Sequence, residues 1–103
     1  MKYQDDNHYI DRVLGGDVAA YATLVAKHKN LVFSIALKIL NNQEDAEEVA
    51  QDCFLKVYQA LRTFEKKSKF STWLYRIVYN AAISKTRKKR LEMVPIDDYV
   101  IEN

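Results

Sequence analysis

From Asp17 to Val94 the chain contains neither glycine nor proline; its glycines are the adjacent pair Gly15-Gly16, and its one proline is Pro95. A sheet protein draws on such residues for the positive φ angles and fixed corners of its turns, at intervals of roughly eight to twelve residues. No run shows the period-two alternation of a half-buried strand either. An all-α fold follows, a compact bundle of about four helices. With 103 residues, 49% of them hydrophobic, the chain can build one domain around one modest core.

Four helical segments are marked by periodicity and punctuation. Asp5, Asp6 or Asn7 caps a short first helix whose Ile10, Val13 and Leu14 form an i, i+3, i+4 stripe, and Gly15-Gly16 ends it. From Val18 to Leu40, Ala20, Leu24, His28, Leu31, Val32, Ile35 and Ile39 share one apolar face, and Phe33 and Leu37 extend apolarity to another side, which predicts a central helix. Asn41-Asn42 breaks it. Asn42 is placed to cap a third helix that opens with Glu44, Asp45, Glu47 and Glu48, the sign a helix N-terminus favours, and buries Ala46, Val49, Ala50, Cys53, Phe54, Val57 and Leu61. A loop, RTFEKKSK, leads to a fourth helix starting near Ser68 to Ser71 and ending at about Arg90. There Phe70, Trp73, Leu74, Ile77, Val78 and Ala81 share a face, with Tyr75 and Tyr79 opposite. The last thirteen residues, LEMVPIDDYVIEN, have no helical face and read as a linker or tail.

The longest apolar run falls far short of the roughly 18 residues of a membrane span, and MKYQDDNHYI lacks the apolar core of a signal peptide. A cytoplasmic protein with no membrane insertion is expected. The lone Cys53 has no disulfide partner within the chain and lies on the apolar side of its helix.

Charge is unevenly spread. Arg62 to Arg90 holds ten basic residues against the single acid Glu65, a net of +9, while the remainder holds six basic and thirteen acidic residues, a net of −7. Cations interleaved with Phe64, Phe70, Tyr75 and Tyr79 suit a single-stranded nucleic acid, which needs positive charge for phosphates and ring faces for bases. A second reading fits the same residues, because the helix dipole alone favours Lys and Arg in last turns and exposed tyrosines are common. Leu55 stands about 160° from the centre of its helix's apolar face, among Glu44, Glu48, Gln51, Gln59 and Arg62. It is an isolated exposed leucine or the centre of a protein contact. Catalysis has weaker signals: His8 and His28 have no metal-motif spacing, His28 sits mid-face where a packed histidine is expected, and no glycine-rich phosphate loop or nucleophile motif occurs. No metal, cofactor or catalytic residue is assigned.

The stretches GDVAAYATLVAKHKNLVFSIALKIL, EDAEEVAQDCFLKVYQALRTF and SKFSTWLYRIVYNAAISKTRKKR together resemble region 2 of bacterial sigma factors, in particular the extracytoplasmic-function group, over residues 10–90. The resemblance implies a helix, here Glu44 to Leu61, that attaches to the clamp helices of the largest catalytic subunit of core RNA polymerase; Glu48, Gln51, Asp52, Leu55 and Gln59 would form that contact. It implies further that the loop and fourth helix bind the non-template strand of the minus-ten promoter element as the duplex melts. The DNA-binding set would be Phe64, Lys66, Lys67, Ser68, Lys69, Thr72, Arg76, Tyr79, Asn80, Lys85, Arg87, Lys88 and Arg90, with Phe64 and Asn80 at the family's positions for a pocket that receives a flipped base.

Two departures stand out. The family loop commonly runs phenylalanine, arginine, glycine, acid, serine; here it is Phe64-Glu65-Lys66-Lys67-Ser68, without the glycine and with inverted charge. Family members also carry a helix-turn-helix domain, and nothing after Pro95 is long enough to be one, so residues 1–90 are expected to be an isolated or excised domain and 91–103 an acidic linker toward a missing half. An anti-sigma factor is a further partner the resemblance admits. The alternative from another class is a helical module that binds protein only, its basic half docking on an acidic regulator.

Overall fold

The computed structural model describes residues 5–93. Among them are α1 (Asp6–Leu14), α2 (Ala19–Leu40), α3 (Gln43–Ala60), a single 3-10 turn over Leu61–Thr63, and α4 (Phe70–Met93), with no strand.

Local chemistry sets the ends. Asp5 accepts a hydrogen bond from the His8 backbone N–H at 3.0 Å and caps α1. Gly16 takes φ +109, a conformation open to glycine, and Arg12 Nε donates to Asp17 at 2.9 Å across the turn that follows. Asn41 adopts the left-handed region at φ 55, which asparagine tolerates, and the Asn42 side chain accepts from the Asp45 N–H at 2.9 Å to start α3.

Helix α2 packs against α1, α3 and α4, which makes it the central element. Burial follows rows spaced by three or four residues: Ala20, Leu24, His28, Val32 and Ala36 on α2, Ala46, Val49, Cys53 and Val57 on α3, and Phe70, Leu74, Val78 and Ala82 on α4. Ile10 of α1 and Leu61 of the 3-10 turn, which contact one another's elements, are buried as well. These rows correct the expected faces. Ala36 ends α2's buried row, fully enclosed, while Leu31 is 43% exposed and Ile35 and Ile39 are half-buried. A small residue there lets neighbouring helices approach closely, and with partners on several sides burial no longer follows one stripe. Leu14 is likewise exposed, and Tyr75, expected to face water, is half-buried.

His28 is buried, with Nε2 3.1 Å from Asp6 Oδ2 and its ring edge-on to Phe70 at 5.4 Å; Lys27 Nζ donates to the other Asp6 oxygen at 2.9 Å. Asp6 therefore ties α1 to α2. Helix α4 continues three residues past its expected end at Arg90, through Leu91, Glu92 and Met93. The rest of the expected tail, residues 94–103, lies outside the described residues. None of the described helices is long and apolar enough to cross a membrane.

Candidate nucleic-acid and polymerase interface

The turn Leu61–Thr63 delivers Phe64 into the bundle end, where it is buried. Its ring lies 5.9 Å from Phe70, edge-on, and 4.9 Å from Trp73 in a tilted stack. Phe70 is itself core, so the five residues between the two phenylalanines must bow outward as a short loop. Lys66 takes φ +62 within that loop, at the place where the family pattern has glycine, and its Nζ donates to Asp11 Oδ1 of α1 at 2.5 Å. Lys66 thus holds a left-handed conformation without a glycine. Thr63, Phe64, Glu65, Lys67, Ser68, Trp73 and Arg76 line a concavity of about 210 Å³ between the loop and α4.

Its chemistry is mixed. Phe64 and Trp73 form an apolar floor, the Arg76 guanidinium and Ser68 hydroxyl offer donors, and Glu65, paired with Lys67 at 3.2 Å, offers an acceptor. Trp73, Thr63 and Glu65 were not in the expected set, and Trp73's position on the core face of its helix concealed it. The structure does not place Asn80 among the lining residues; it is exposed one turn beyond Arg76. Thr72, Arg76, Asn80, Ser84 and Arg87, all exposed, recur every three or four residues along one outward stripe of α4, with exposed Lys69 just ahead of it, Tyr79 and Lys88 beside it and Arg90 exposed one turn on.

Not all of the cations are available. Lys85 Nζ donates to Glu48 of α3 at 2.8 Å, and that hydrogen bond is the main reason its amine is held above its ordinary pKa. Lys89 is bonded to Asp45. No ion pair engages Arg62, Lys69, Arg76, Arg87, Lys88 or Arg90 among the described residues.

On α3, Gln51, Asp52 and Gln59 are exposed and Leu55 is 65% exposed, as its position predicted. The expected set there omits an apolar groove between α2 and α3, lined by Tyr21, Val25, Gln51, Phe54, Leu55 and Tyr58. Tyr21 donates its hydroxyl proton to the Phe54 carbonyl at 2.5 Å and meets Tyr58 edge-on at 5.0 Å, fixing the wall. Burial pushes the Tyr21 phenol well above its ordinary pKa. Glu48, by contrast, is drawn toward α4 by Lys85. No three metal-ligating side chains converge among the described residues.

Residues 24–92 match the family model for Sigma-70 region 2. The chain belongs to this family. Among curated relatives of this region 2 chain, the ECF RNA polymerase sigma factor SigW of Bacillus subtilis is 38% identical over 81 residues, covering 79% of this chain and 43% of the relative. The RNA polymerase sigma-H factor of Pseudomonas aeruginosa is 37% identical over 82 residues, covering 80% of this chain and 42% of the relative. The chain thus spans less than half the length of these relatives. An engineered region 2 of sigmaE, solved by NMR in complex with GTAAAA, superposes with a TM-score of 0.83 at 32% identity, covering 92% of this chain and 100% of that one.

Proposed function

We propose that this chain is the promoter-recognition domain of a cytoplasmic transcription-initiation sigma factor of the extracytoplasmic-function group, a binding domain and not an enzyme. It binds core RNA polymerase and captures the non-template strand of the minus-ten element. The observation that carries the reading is the exposed stripe of α4 leading out of the loop concavity, on a fold matched over 92% of this chain by a sigmaE region 2 solved with GTAAAA.

The chemistry suits the task. A base leaving its stack loses a few kcal/mol, and stacking on an aromatic returns about 1–3 kcal/mol. The Phe64 and Trp73 floor offers that contact, with Arg76, Ser68 and Glu65 placed at the base's edge. Lys69, Thr72 and the α4 cations outside the ion pairs, Arg76, Arg87, Lys88 and Arg90, track phosphates, with Lys66, Lys67 and Lys85 joining only when they leave their carboxylates, and Asn80 presents a donor and an acceptor one turn further along. On the far side, Leu55, the groove beside it and the rim of Glu48, Gln51, Asp52 and Gln59 offer an apolar centre in a polar surround to the polymerase clamp helices.

The test is fluorescence anisotropy with labelled GTAAAA and permuted hexamers over a salt series, beside a binding assay against core RNA polymerase. Preference for one hexamer, weakening with salt, and binding to the core enzyme are expected. A module that binds protein only would bind all strands alike or none.

A further inference from the structure

Among the described residues Lys66 is one of two non-glycine residues with positive φ, and unlike Asn41 it has no short polar side chain to favour that conformation. Something outside the loop must select it. The remaining polar side-chain contacts of the loop are local among the described residues: Thr63 to Ala60, Lys67 to Glu65, and Ser68 to Lys69. The contact that reaches another helix is Lys66 to Asp11, and Asp11 has no second side-chain partner among the described residues. Asp11 lies on α1, ahead of residues 24–92 that match the family model.

We infer that Asp11 is a positioning residue for the strand-binding loop: anchoring Lys66, it holds the left-handed turn that arranges Glu65, Lys67 and Ser68 around the concavity, and so governs base discrimination without touching nucleic acid. An exposed ion pair supplies only a small bias. A small bias suffices here because both loop ends are already fixed by buried Phe64 and Phe70, leaving few conformers to choose among. The discrimination half of the inference rests on the strand-binding reading above; the conformational half does not.

The experiment uses the full chain with Asp11→Asn, Asp11→Glu and Lys66→Gly. NMR reads the turn directly, because a residue with positive φ gives a strong NOE between its own amide and Hα protons. That signal at Lys66 should weaken in Asp11→Asn and persist in Asp11→Glu. Anisotropy with GTAAAA and its single-base variants should show the largest affinity ratio shrinking about 2- to 5-fold in Asp11→Asn, with Asp11→Glu close to the parent. In a Lys66→Gly background, where glycine takes positive φ unaided, Asp11→Asn should change discrimination no further. A uniform gain in affinity across all strands with the Lys66 signal intact would show that Asp11 contributes only charge and would overturn the inference. No preference in the parent chain would sink the strand-binding reading and this role with it, whereas preference retained in Asp11→Asn sinks this role alone.

Discussion

Glu48 of α3 and Lys85 of α4 are joined by a 2.8 Å hydrogen-bonded ion pair, linking a residue of the candidate polymerase face to one of the candidate strand-binding cations. The Asp45 and Lys89 pair repeats the link one turn along each helix. Lysines engaged in this way must give up a carboxylate before they meet a phosphate.

Unequal contributions from the α4 cations follow. Arg87→Gln should weaken binding to every single strand alike and flatten the dependence of log affinity on log salt by about 0.7, the value for one phosphate contact on a single strand. Lys85→Gln should change the slope by less than half as much. Salt titrations of both variants check this, and equal slopes would show that the Glu48 pair is irrelevant to strand binding.

Leu55→Asp should weaken binding to core RNA polymerase at least tenfold while shifting the melting temperature by no more than a few degrees. Leu55 is 65% exposed, and exposed substitutions usually fall within about 0.5 kcal/mol. Circular-dichroism melts beside the binding assay separate the two effects, and an early melt would place Leu55 in the core.

Phe64 and Asn80 should respond in opposite ways. Phe64→Ala removes a buried ring that contacts Phe70 and Trp73 and should cost about 3–5 kcal/mol in denaturant unfolding. Asn80→Ala, at an exposed site, should leave stability unchanged and reduce discrimination at one base position, with binding to an abasic strand nearly unaltered. Equal losses on intact and abasic strands would assign Asn80 to strand-independent affinity.

Alkaline pH should destabilise the fold. Burial pushes the Cys53 thiol from 9.0 up to about 11, so the unfolded chain releases this proton first as pH rises. The contribution is fully present below about pH 9 and falls away by about pH 11, a loss of about 2–3 kcal/mol. Tyr21, raised by burial, and Lys85, raised by its Glu48 bond, act in the same direction from about pH 10. Cys53→Ala should flatten the fall between pH 9 and 11 in melting temperature, and an unchanged profile would show that Cys53 does not titrate differently on unfolding.

The sequence by itself determined the all-α class, because a chain nearly free of glycine and proline lacks the turn residues of a sheet. It also marked the break at Asn41-Asn42 with its Asn42 cap, the exposure of Leu55 and the family, since each depends on residues within a turn or two of one another or on an extended pattern along the chain. Only the tertiary structure decided which cations are engaged. Lys66, Lys85 and Lys89 find Asp11, Glu48 and Asp45 at sequence separations of 55, 37 and 44, and no local period carries such pairings. The same holds for the groove beside Leu55, whose walls come from two helices, and for the burial of Ala36 and exposure of Leu31 on α2, which packs against three neighbours. Phe64 was legible as an aromatic in a basic loop, but its burial depends on Phe70 and Trp73 meeting it from the next helix. Asn80 was legible as the edge of a face, yet the loop closes its concavity one turn earlier, at Arg76, because the short span from Phe64 to the buried Phe70 limits how far the loop reaches along α4.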